Sequence, residues 1–207
     1  MTEIQFRKAT QDDIGVVAQI QQRALEVLKD PEELDPVPSN ELLHNIQNNL
    51  MGLAIVDGQI AAFRTMHIPT QDYLGGYIGI KNPQEAGLIY SDITIVDPAY
   101  RGLSLQRQLG EWLFAQIEDD YQIIMATVHP NNTASLKDKF HLGMHIVAMD
   151  TLYGGKLRFI FMKEINNNFS YKEAIVVQRE DFERIKSLLE LGYKGVALKQ
   201  HTIIFGK

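Results

Sequence analysis

An apolar strand that runs directly into a glycine-containing turn and then an amphipathic helix is the segment that most constrains the fold of this chain. Residues 88–96 (LIYSDITIV) predict the strand, 97–103 the turn, and 104–118 a helix whose apolar residues recur at helical spacing. Free backbone N–H groups and the positive end of the helix dipole meet at such a turn. This geometry is suited to binding a phosphate group.

The turn itself carries residues that suit an anionic ligand. Gly102 lets the backbone approach a ligand closely, and Arg101 and Arg107 place positive charge on either side of the turn. The same residues would also suit a plain strand–helix connection with arginines on its surface. The turn alone leaves both interpretations open.

The rest of the chain alternates strands with helices and then adds hairpins. Asp-Gly at 57–58 and Gly-Gly at 154–155 each separate two apolar runs, which is the pattern of a β-hairpin. Residues 69–87 predict an irregular excursion with one short strand, and residues 123–128 (IIMATV) predict a buried strand. The sum predicts a mixed α/β sheet.

Composition excludes several classes of protein. The chain has 207 residues, 45% of them hydrophobic, so we expect one globular domain or one domain with an appendage. The net charge of −6 argues against a nucleic-acid partner. The sequence contains no run of about 18 apolar residues, so we expect no membrane-spanning helix. The chain has no cysteine, which excludes a disulfide scaffold, a thiolate zinc site and a cysteine nucleophile, and which fits a cytoplasmic location.

Two segments of the chain carry motifs of defined spacing. The first is VDPAYRGLSLQRQL at residues 96–109, and the second is VHPNNTASLKDKFHLGM at residues 128–144. Both resemble the cofactor-binding segments of the GCN5-related N-acetyltransferases (GNAT). Ser104 stands where the family has glycine, Gln106 where it has glycine or alanine, and Met144 where it has phenylalanine. The residues that match the family are Val96, Pro98, Tyr100, Arg101 and Gly102 in the first motif, and Pro130, Asn132, Ser135, Leu142 and Gly143 in the second.

The resemblance covers about residues 1–165 and implies an α/β (α+β) fold of the acyl-CoA N-acyltransferase type. In that fold, strands 88–96 and 123–128 lie side by side in parallel and splay apart, and acetyl-CoA lies in the cleft between them. Residues 166–207 are then a C-terminal strand–helix–strand extension packed on the core, because they are too few to bury a core of their own. Three roles are open to this extension: it docks on the core, it covers the acceptor cleft, or it forms a homodimer contact.

The resemblance also implies which residues hold the cofactor. The pyrophosphate would lie on the N–H groups that begin the helix, and the pantetheine would pair with the backbone of the strand as an added strand does. The second motif would contribute a further contact to the cofactor. The residues so implied are Thr94, Ile95, Val96, Arg101, Gly102, Leu103, Ser104, Leu105, Gln106, Asn132 and Ser135.

The reaction implied is the transfer of an acetyl group from acetyl-CoA to a primary amine of a small molecule or peptide, with no metal. Because the chain has no cysteine, direct transfer is favoured over a cysteine acyl-enzyme. A protonated amine needs a base, and Asp92 lies on the strand where the family often places a carboxylate. The alternative is an Asp92 that is hydrogen-bonded to the excursion at 69–87.

The proton donor for the departing thiolate is less directly indicated. Lys139 stands near the position of the family's usual tyrosine acid, so Tyr153 is the substitute, with a half-buried sheet tyrosine as the alternative. Ser104, Gln106 and Lys139 also leave open a catalytically inactive CoA-binding or regulatory module. An acidic loop would attract a cationic amine or be a solvated surface loop, and its acids are Asp30, Glu32, Glu33 and Asp35.

Overall fold

A computed structural model of the chain describes residues 2–28, 36–71, 73–117 and 119–207. The chain divides into two compact units, Met1–His67 with Ser91–Ile117 and Ile68–Tyr90 with Glu118–Lys207. The strand that precedes the glycine-containing turn therefore contributes residues to both units. The predicted boundary after residue 165 falls inside the second unit, and the division into a core over 1–165 and an extension over 166–207 packed on it stays a prediction.

The first unit contains one end of the sheet and the helices that pack on it. Its strands follow the sheet order β1-β2-β3-β4, with β1–β2 and β2–β3 antiparallel. Short 3-10 turns precede the first and third helices. The elements are β1 (Ile4–Lys8), α1 (Ile14–Glu26), α2 (Ser39–Gln47), β2 (Met51–Val56), β3 (Gln59–His67), the later part of β4 (Leu88–Val96) and α3 (Leu105–Ala115).

Local sequence signals explain where these elements start and stop. Asp57 and Gly58 have φ angles of 48° and 79°, the left-handed pair that a tight two-residue hairpin turn requires, so the first predicted hairpin is confirmed. Before α1, the carboxylate of Asp13 accepts from the backbone N–H of Thr10 at 2.7 Å, while the backbone N–H of Asp13 donates to the Thr10 carbonyl at 3.0 Å. This reciprocal cap satisfies donors that a helix start leaves without partners.

Helix α3 packs closely on β2, which fixes the position of the turn that leads into it. A Cβ atom at Gly52 would lie 3.0 Å from Cζ3 of Trp112 and 3.1 Å from Cδ1 of Leu109. The absence of a side chain at Gly52 therefore allows this close approach of helix and strand. The buried residues around the contact are Ala54, Val56, Ala61, Ala62, Leu105 and Leu109.

The second unit contains the other end of the sheet. Its strands follow the order β4-β5-β7-β6-β9-β10-β8, and a 3-10 turn spans Gly75–Ile78. A buried core that includes Leu74, Tyr90 and Met125 packs beneath the excursion. The elements are the first residues of β4, β5 (Ile123–Val128), α4 (Thr133–His141), β6 (His145–Leu152), β7 (Lys156–Glu164), β8 (Ala174–Gln178), α5 (Phe182–Glu190), β9 (Lys194–Lys199) and β10 (Thr202–Gly206).

The parallel pair that the resemblance implies is confirmed. Strands β4 and β5 pair in parallel, with Leu88 opposite Ile123 and Tyr90 opposite Met125. The remaining strand pairs for which a register is defined are antiparallel. A parallel pair needs a long crossover between its strands, and α3 lies in the stretch that connects β4 to β5.

Three predictions of element extent need correction. The described residues of the excursion at 69–87 contain no strand, because the chain there turns through the 3-10 segment and Tyr90 holds the Leu74 amide with its hydroxyl at 2.9 Å. Helix α3 spans Leu105–Ala115, shorter than the predicted 104–118. The extension follows the predicted strand–helix–strand order and adds one more strand, because its last segment folds back on itself as β9 and β10.

A membrane-spanning helix is not among the described elements, since none of them is both long enough and apolar enough to cross a bilayer.

Candidate functional site

The turn between β4 and α3 adopts a backbone shape that few side chains tolerate. Gly102 has a φ of 89° and Ser104 a φ of 57°, so both lie in the left-handed region. A Cβ atom at Gly102 would meet nothing within 4 Å, so glycine is needed there for its backbone freedom and not for space. Ser104 has no such freedom, and the serine that replaces the family's glycine therefore sits in a strained conformation.

The start of α3 presents a cluster of backbone donors. The amides of 103–107 have no acceptor within the described part of the chain, and the first helical donor is Gln108, whose N–H reaches the Ser104 carbonyl at 3.2 Å. The side chain of Gln108 also holds the Leu103 carbonyl at 2.9 Å. The donors are thus left to an outside acceptor at the positive end of the helix dipole. Exposed Arg101 and Arg107 add positive charge at this end of the helix, an arrangement that suits an anion.

Asp97 anchors the first residue of the turn. Its side chain is buried and accepts from the backbone N–H of Ala99 at 3.0 Å, while its own N–H donates to the Ala61 carbonyl at 2.8 Å. Arg23 in α1 completes the carboxylate's hydrogen bonds at 2.6 Å and 3.0 Å. These contacts hold the turn against both the sheet and a helix.

The strand that leads into the turn contains a buried donor without a partner. The hydroxyl oxygen of Thr94 has no hydrogen-bond partner among the residues that the structure describes, and its neighbour Ile95 is buried. Such an orphan costs free energy unless a ligand satisfies it. The residues implied to hold the cofactor on this strand therefore fit a ligand with polar groups.

Asp92 pairs with a histidine that sequence reasoning did not single out. Its Oδ1 contacts Nδ1 of His67, the last residue of the neighbouring strand β3. Burial lowers the pKa of His67, but the hydrogen bond and charge of Asp92, with a smaller contribution from Glu41, outweigh burial and raise it. The imidazole is 30% exposed and the carboxylate 15%, so the pair is shielded yet reachable.

In the second unit, α4 begins with a cap that is formed by residues of the second motif. The Asn132 side chain accepts from the backbone N–H of Ser135 at 3.0 Å, which caps the helix. After the helix, Gly143 has a φ of 75° and ends it. Asn132 and Ser135, both implied as cofactor contacts, are thus brought together in a single capping turn.

Tyr153 lies in the hairpin turn between β6 and β7 with a φ of 50°. Its hydroxyl is 3.1 Å from Thr127 Oγ1 on β5 and 3.3 Å from the hydroxyl of Tyr73. Tyr153 is 46% exposed and lies in the turn between the two strands, so about half of its surface is accessible at the edge of the sheet. The result is a chain of hydroxyl groups that starts near the end of β5.

Solved structures resemble this fold over most of their length. The structure of yncA from Salmonella typhimurium with its cofactor acetyl-CoA aligns with a TM-score of 0.59 at 14% identity, covering 81% of this chain and 96% of that one. An N-acetyltransferase from Staphylococcus aureus gives a TM-score of 0.60 at 16% identity, covering 79% and 99%. The ribosomal-protein-S18-alanine N-acetyltransferase from Escherichia coli gives 0.59 at 17%, covering 83% and 99%.

The chain has the GNAT fold. The fold that the two motifs predict is thereby confirmed. At the level of sequence, no protein-family model and no curated protein matches the chain. The likeness is therefore carried by the arrangement of strands and helices.

Within the GNAT fold of this chain, Lys139 has a structural role. Its side chain is buried in α4, and its Nζ lies 3.3 Å from Oδ2 of the neighbouring Asp138, which is buried as well. A buried ammonium needs such a carboxylate because water no longer solvates it. A buried ammonium group paired with a carboxylate thus stands at the position where the family resemblance implies a tyrosine acid.

Several residues of the site carried no signal in the sequence. His67, Arg23 and Tyr73 are distant in sequence from the residues they contact, and no local motif distinguishes His67 from another histidine at the end of a strand.

The predicted acidic loop lies outside the part of the chain that the structure describes. Its acids are Asp30, Glu32, Glu33 and Asp35. Among the residues that are described, no group of three or more histidine and acidic side chains could hold a metal ion.

Proposed function

We propose that the chain is an acetyl-CoA-dependent N-acetyltransferase that transfers the acetyl group directly to a primary amine of a small molecule or peptide. The observation that carries the proposal is the start of α3, where the amides of 103–107 have no acceptor among the described residues and lie beside Arg101. Structures with the same fold include acetyltransferases, and one of them was solved with acetyl-CoA.

The residues of this turn fit the anionic part of the cofactor. The backbone N–H groups of 103–106 would hold the pyrophosphate, and Arg101 would add a charge-assisted contact. On β4, the unsatisfied hydroxyl of Thr94 and the backbone of 94–96 would hold the amide-bearing pantetheine arm. From the second unit, we propose Asn132 and Ser135 as further contacts.

We propose the pair of His67 and Asp92 as the proton acceptor. A carboxylate beside a cationic imidazole is a weak base, whereas an imidazole has a pKa near the pH at which the enzyme works. His67 would take the proton of the ammonium group, and Asp92 would orient the ring and stabilise the imidazolium, as a carboxylate does in a catalytic triad. The contact between the two side chains supports this division of roles.

We propose Tyr153 as the proton donor at the end of the reaction. Bound acetyl-CoA would supply a thioester, whose carbonyl carbon would bond to the amine nitrogen while the carbon–sulfur bond breaks. The nitrogen would lose its second proton to solvent as the amide forms. The hydroxyl of Tyr153 would protonate the departing thiolate, and Thr127 and Tyr73 would restore the proton through their own hydroxyl groups. Because the chain has no cysteine, the acetyl group would not pass through a thioester on the protein.

Calorimetric titration with acetyl-CoA, combined with CoA release over a panel of amines, tests the proposal. We expect binding at micromolar concentrations and turnover with at least one amine. Arg101→Ala should weaken binding several-fold, whereas Arg184→Ala, an equal change of charge on the exposed face of α5, should not. Binding without turnover would favour the catalytically inactive CoA-binding module, and no binding at millimolar acetyl-CoA would overturn both functions.

A further inference from the structure

Arg179 follows β8 in the C-terminal extension and reaches the first residue of α4. Its Nη1 donates to Oγ1 of Thr133 at 2.8 Å, and its Nη2 donates to Oε1 of Glu180 at 3.2 Å. The backbone N–H of Arg179 donates to the carbonyl of His201 at 2.9 Å. The extension therefore holds this arginine at both its backbone and its guanidinium group.

The position of Arg179 is unfavourable in electrostatic terms. The residue is only 9% exposed, and its Nε is buried without a hydrogen-bond partner among the described residues. A cation beside the N-terminus of a helix also opposes the helix dipole, which favours anions there. Glu180 offsets part of this electrostatic cost. A methionine or leucine at this position would fill the same space and would avoid the cost altogether. In some proteins a buried charged group of this kind is retained because it fixes one specific arrangement of the groups around it.

The target of the arginine suggests the reason. Thr133 is the first residue of α4 and directly follows Asn132, whose side chain caps the helix at Ser135. This capping turn is the second motif that resembles the family's cofactor-binding segments. A hydrogen bond from Arg179 to Thr133 fixes the backbone at the point where that turn would meet the cofactor.

We propose that Arg179 is a positioning residue for cofactor binding, which acts through Thr133 on the capping turn of α4. The inference rests on the proposed function, since it takes acetyl-CoA as the ligand. It assigns a role to residues 166–207, because the extension would then support the cofactor site. The positive charge of Arg179 would also favour a polyanionic ligand there. The core alone would then bind CoA weakly even when folded.

Binding of CoA to full-length variants tests the inference. We expect Arg179→Ala and Thr133→Val each to weaken CoA binding by about tenfold, as the loss of a charge-assisted hydrogen bond would. Because the two changes remove the same contact, the double variant should lose little more than either single one. Thr133→Ser keeps the hydroxyl and should bind normally, and Arg179→Lys should recover part of the loss.

Further measurements separate positioning from a general loss of stability. Arg184→Ala, on the same extension, should change neither CoA affinity nor the unfolding midpoint. In Arg179→Ala, the amide of Leu136 in the first turn of α4 should exchange its hydrogen faster, while kcat at saturating acetyl-CoA stays close to the wild-type value. If Arg179→Ala fails to fold, Thr133→Val carries the test.

The outcomes are distinct for the two proposals. Normal CoA affinity in both Arg179→Ala and Thr133→Val, or full additivity of the two losses, overturns the positioning role and leaves the acetyltransferase intact. If wild-type protein binds no CoA, the acetyltransferase proposal fails, and the positioning role falls with it. Unchanged exchange at Leu136 would also contradict the role, whatever the cofactor proves to be.

Discussion

Arg23 binds Asp97 through two hydrogen bonds to the same carboxylate oxygen, at 2.6 Å from Nη2 and 3.0 Å from Nε. The contact joins the last turn of α1 to Asp97, the first residue after β4. The Asp97 side chain is only 8% exposed and also accepts from Ala99. The start of the turn between β4 and α3 is therefore fixed by a helix that lies far from it in the sequence.

We predict that Arg23→Met lowers the free energy of unfolding by about 1–3 kcal/mol, because it leaves a buried carboxylate without its cation. Urea unfolding at neutral pH measures the change. The affinity for CoA should fall as well, since the turn loses its anchor. Arg23→Lys keeps the charge and should lose less in both measurements. Equal behaviour of the two variants would contradict the role of the charge.

Ser104→Gly should raise the free energy of unfolding by about 0.5–1 kcal/mol, because glycine tolerates the φ of 57° that serine adopts under strain. Thermal and urea denaturation both measure this gain. As a matched control, Ser187→Gly within α5 should lower stability by about 0.5–1 kcal/mol, since the φ there is helical. A loss of stability in Ser104→Gly would show that the serine side chain stabilises the turn.

The pH dependence of stability should reveal the cap of α1. The hydrogen bond from Arg7, together with those from Thr10, outweighs burial and lowers the pKa of Asp13 from 3.8 to about 2. A lowered pKa in the folded state contributes stability that is fully present above pH 3.8 and is lost as the pH falls through about 2.

Asp13→Asn should therefore be less stable than wild type at neutral pH by about 1–2 kcal/mol, a value reduced from the full shift because solvent screens the contact. The Arg7 side chain is 42% exposed, which is the reason for that screening. Urea unfolding from pH 7 to pH 2 should show the difference shrinking as the pH falls. A difference that is constant over this range would mean that Asp13 acts without its charge.

The pair of His67 and Asp92 should appear in the pH profile of acetyl transfer. If neutral His67 accepts the proton, kcat/KM should rise with pH through an apparent pKa above 6.5, because Asp92 raises the pKa of the imidazole. Asp92→Asn should shift that apparent pKa downward and lower kcat by about 10–100-fold. An unchanged profile in Asp92→Asn would remove both residues from the mechanism, and Glu41→Gln serves as a control with a smaller downward shift.

Tyr153→Phe removes the hydroxyl that we propose as proton donor. We expect kcat to fall by about 10–100-fold while the affinity for acetyl-CoA stays unchanged, because the ring remains and only the proton is lost. Steady-state kinetics together with calorimetric titration measure the two effects separately. Tyr77→Phe, which removes a hydroxyl bonded to Asp150, is the matched control and should keep its kcat. Equal losses in both variants would argue against a specific role for Tyr153.

Much of the fold could be predicted because its signals are local. The hairpin at Asp57-Gly58, the cap at Thr10 and Asp13, and the helix stop at Gly143 each depend on residues within a few positions of one another. The same holds for the turn after β4, whose glycine and flanking arginines predicted the donor cluster at α3. At these positions backbone sterics and short-range hydrogen bonds decide the structure, and both depend on residue types that are visible in a short stretch of sequence.

Other features could not be predicted because their signals are weak or distant. The last hairpin turns at Gln200, whose φ of 51° is one that glycine or asparagine usually marks. The 3-10 turn in the excursion is held by Tyr90, which lies 16 residues from Leu74. The spacing of apolar residues along the chain predicts neither the turn at Gln200 nor the hydrogen bond from Leu74 to Tyr90.

By itself, the sequence determined most of the strands and helices, the left-handed turn after β4 with its backbone donors, and the resemblance that the solved structures confirm as a fold. The tertiary structure decided which side chains serve that turn and the proposed chemistry. Asp92 needed the pairing of β4 beside β3 to meet His67, and Arg179 needed the extension to fold back before it could reach Thr133. Partners so far apart along the chain meet only when packing fixes the register of strands and the placement of helices, which no local pattern encodes.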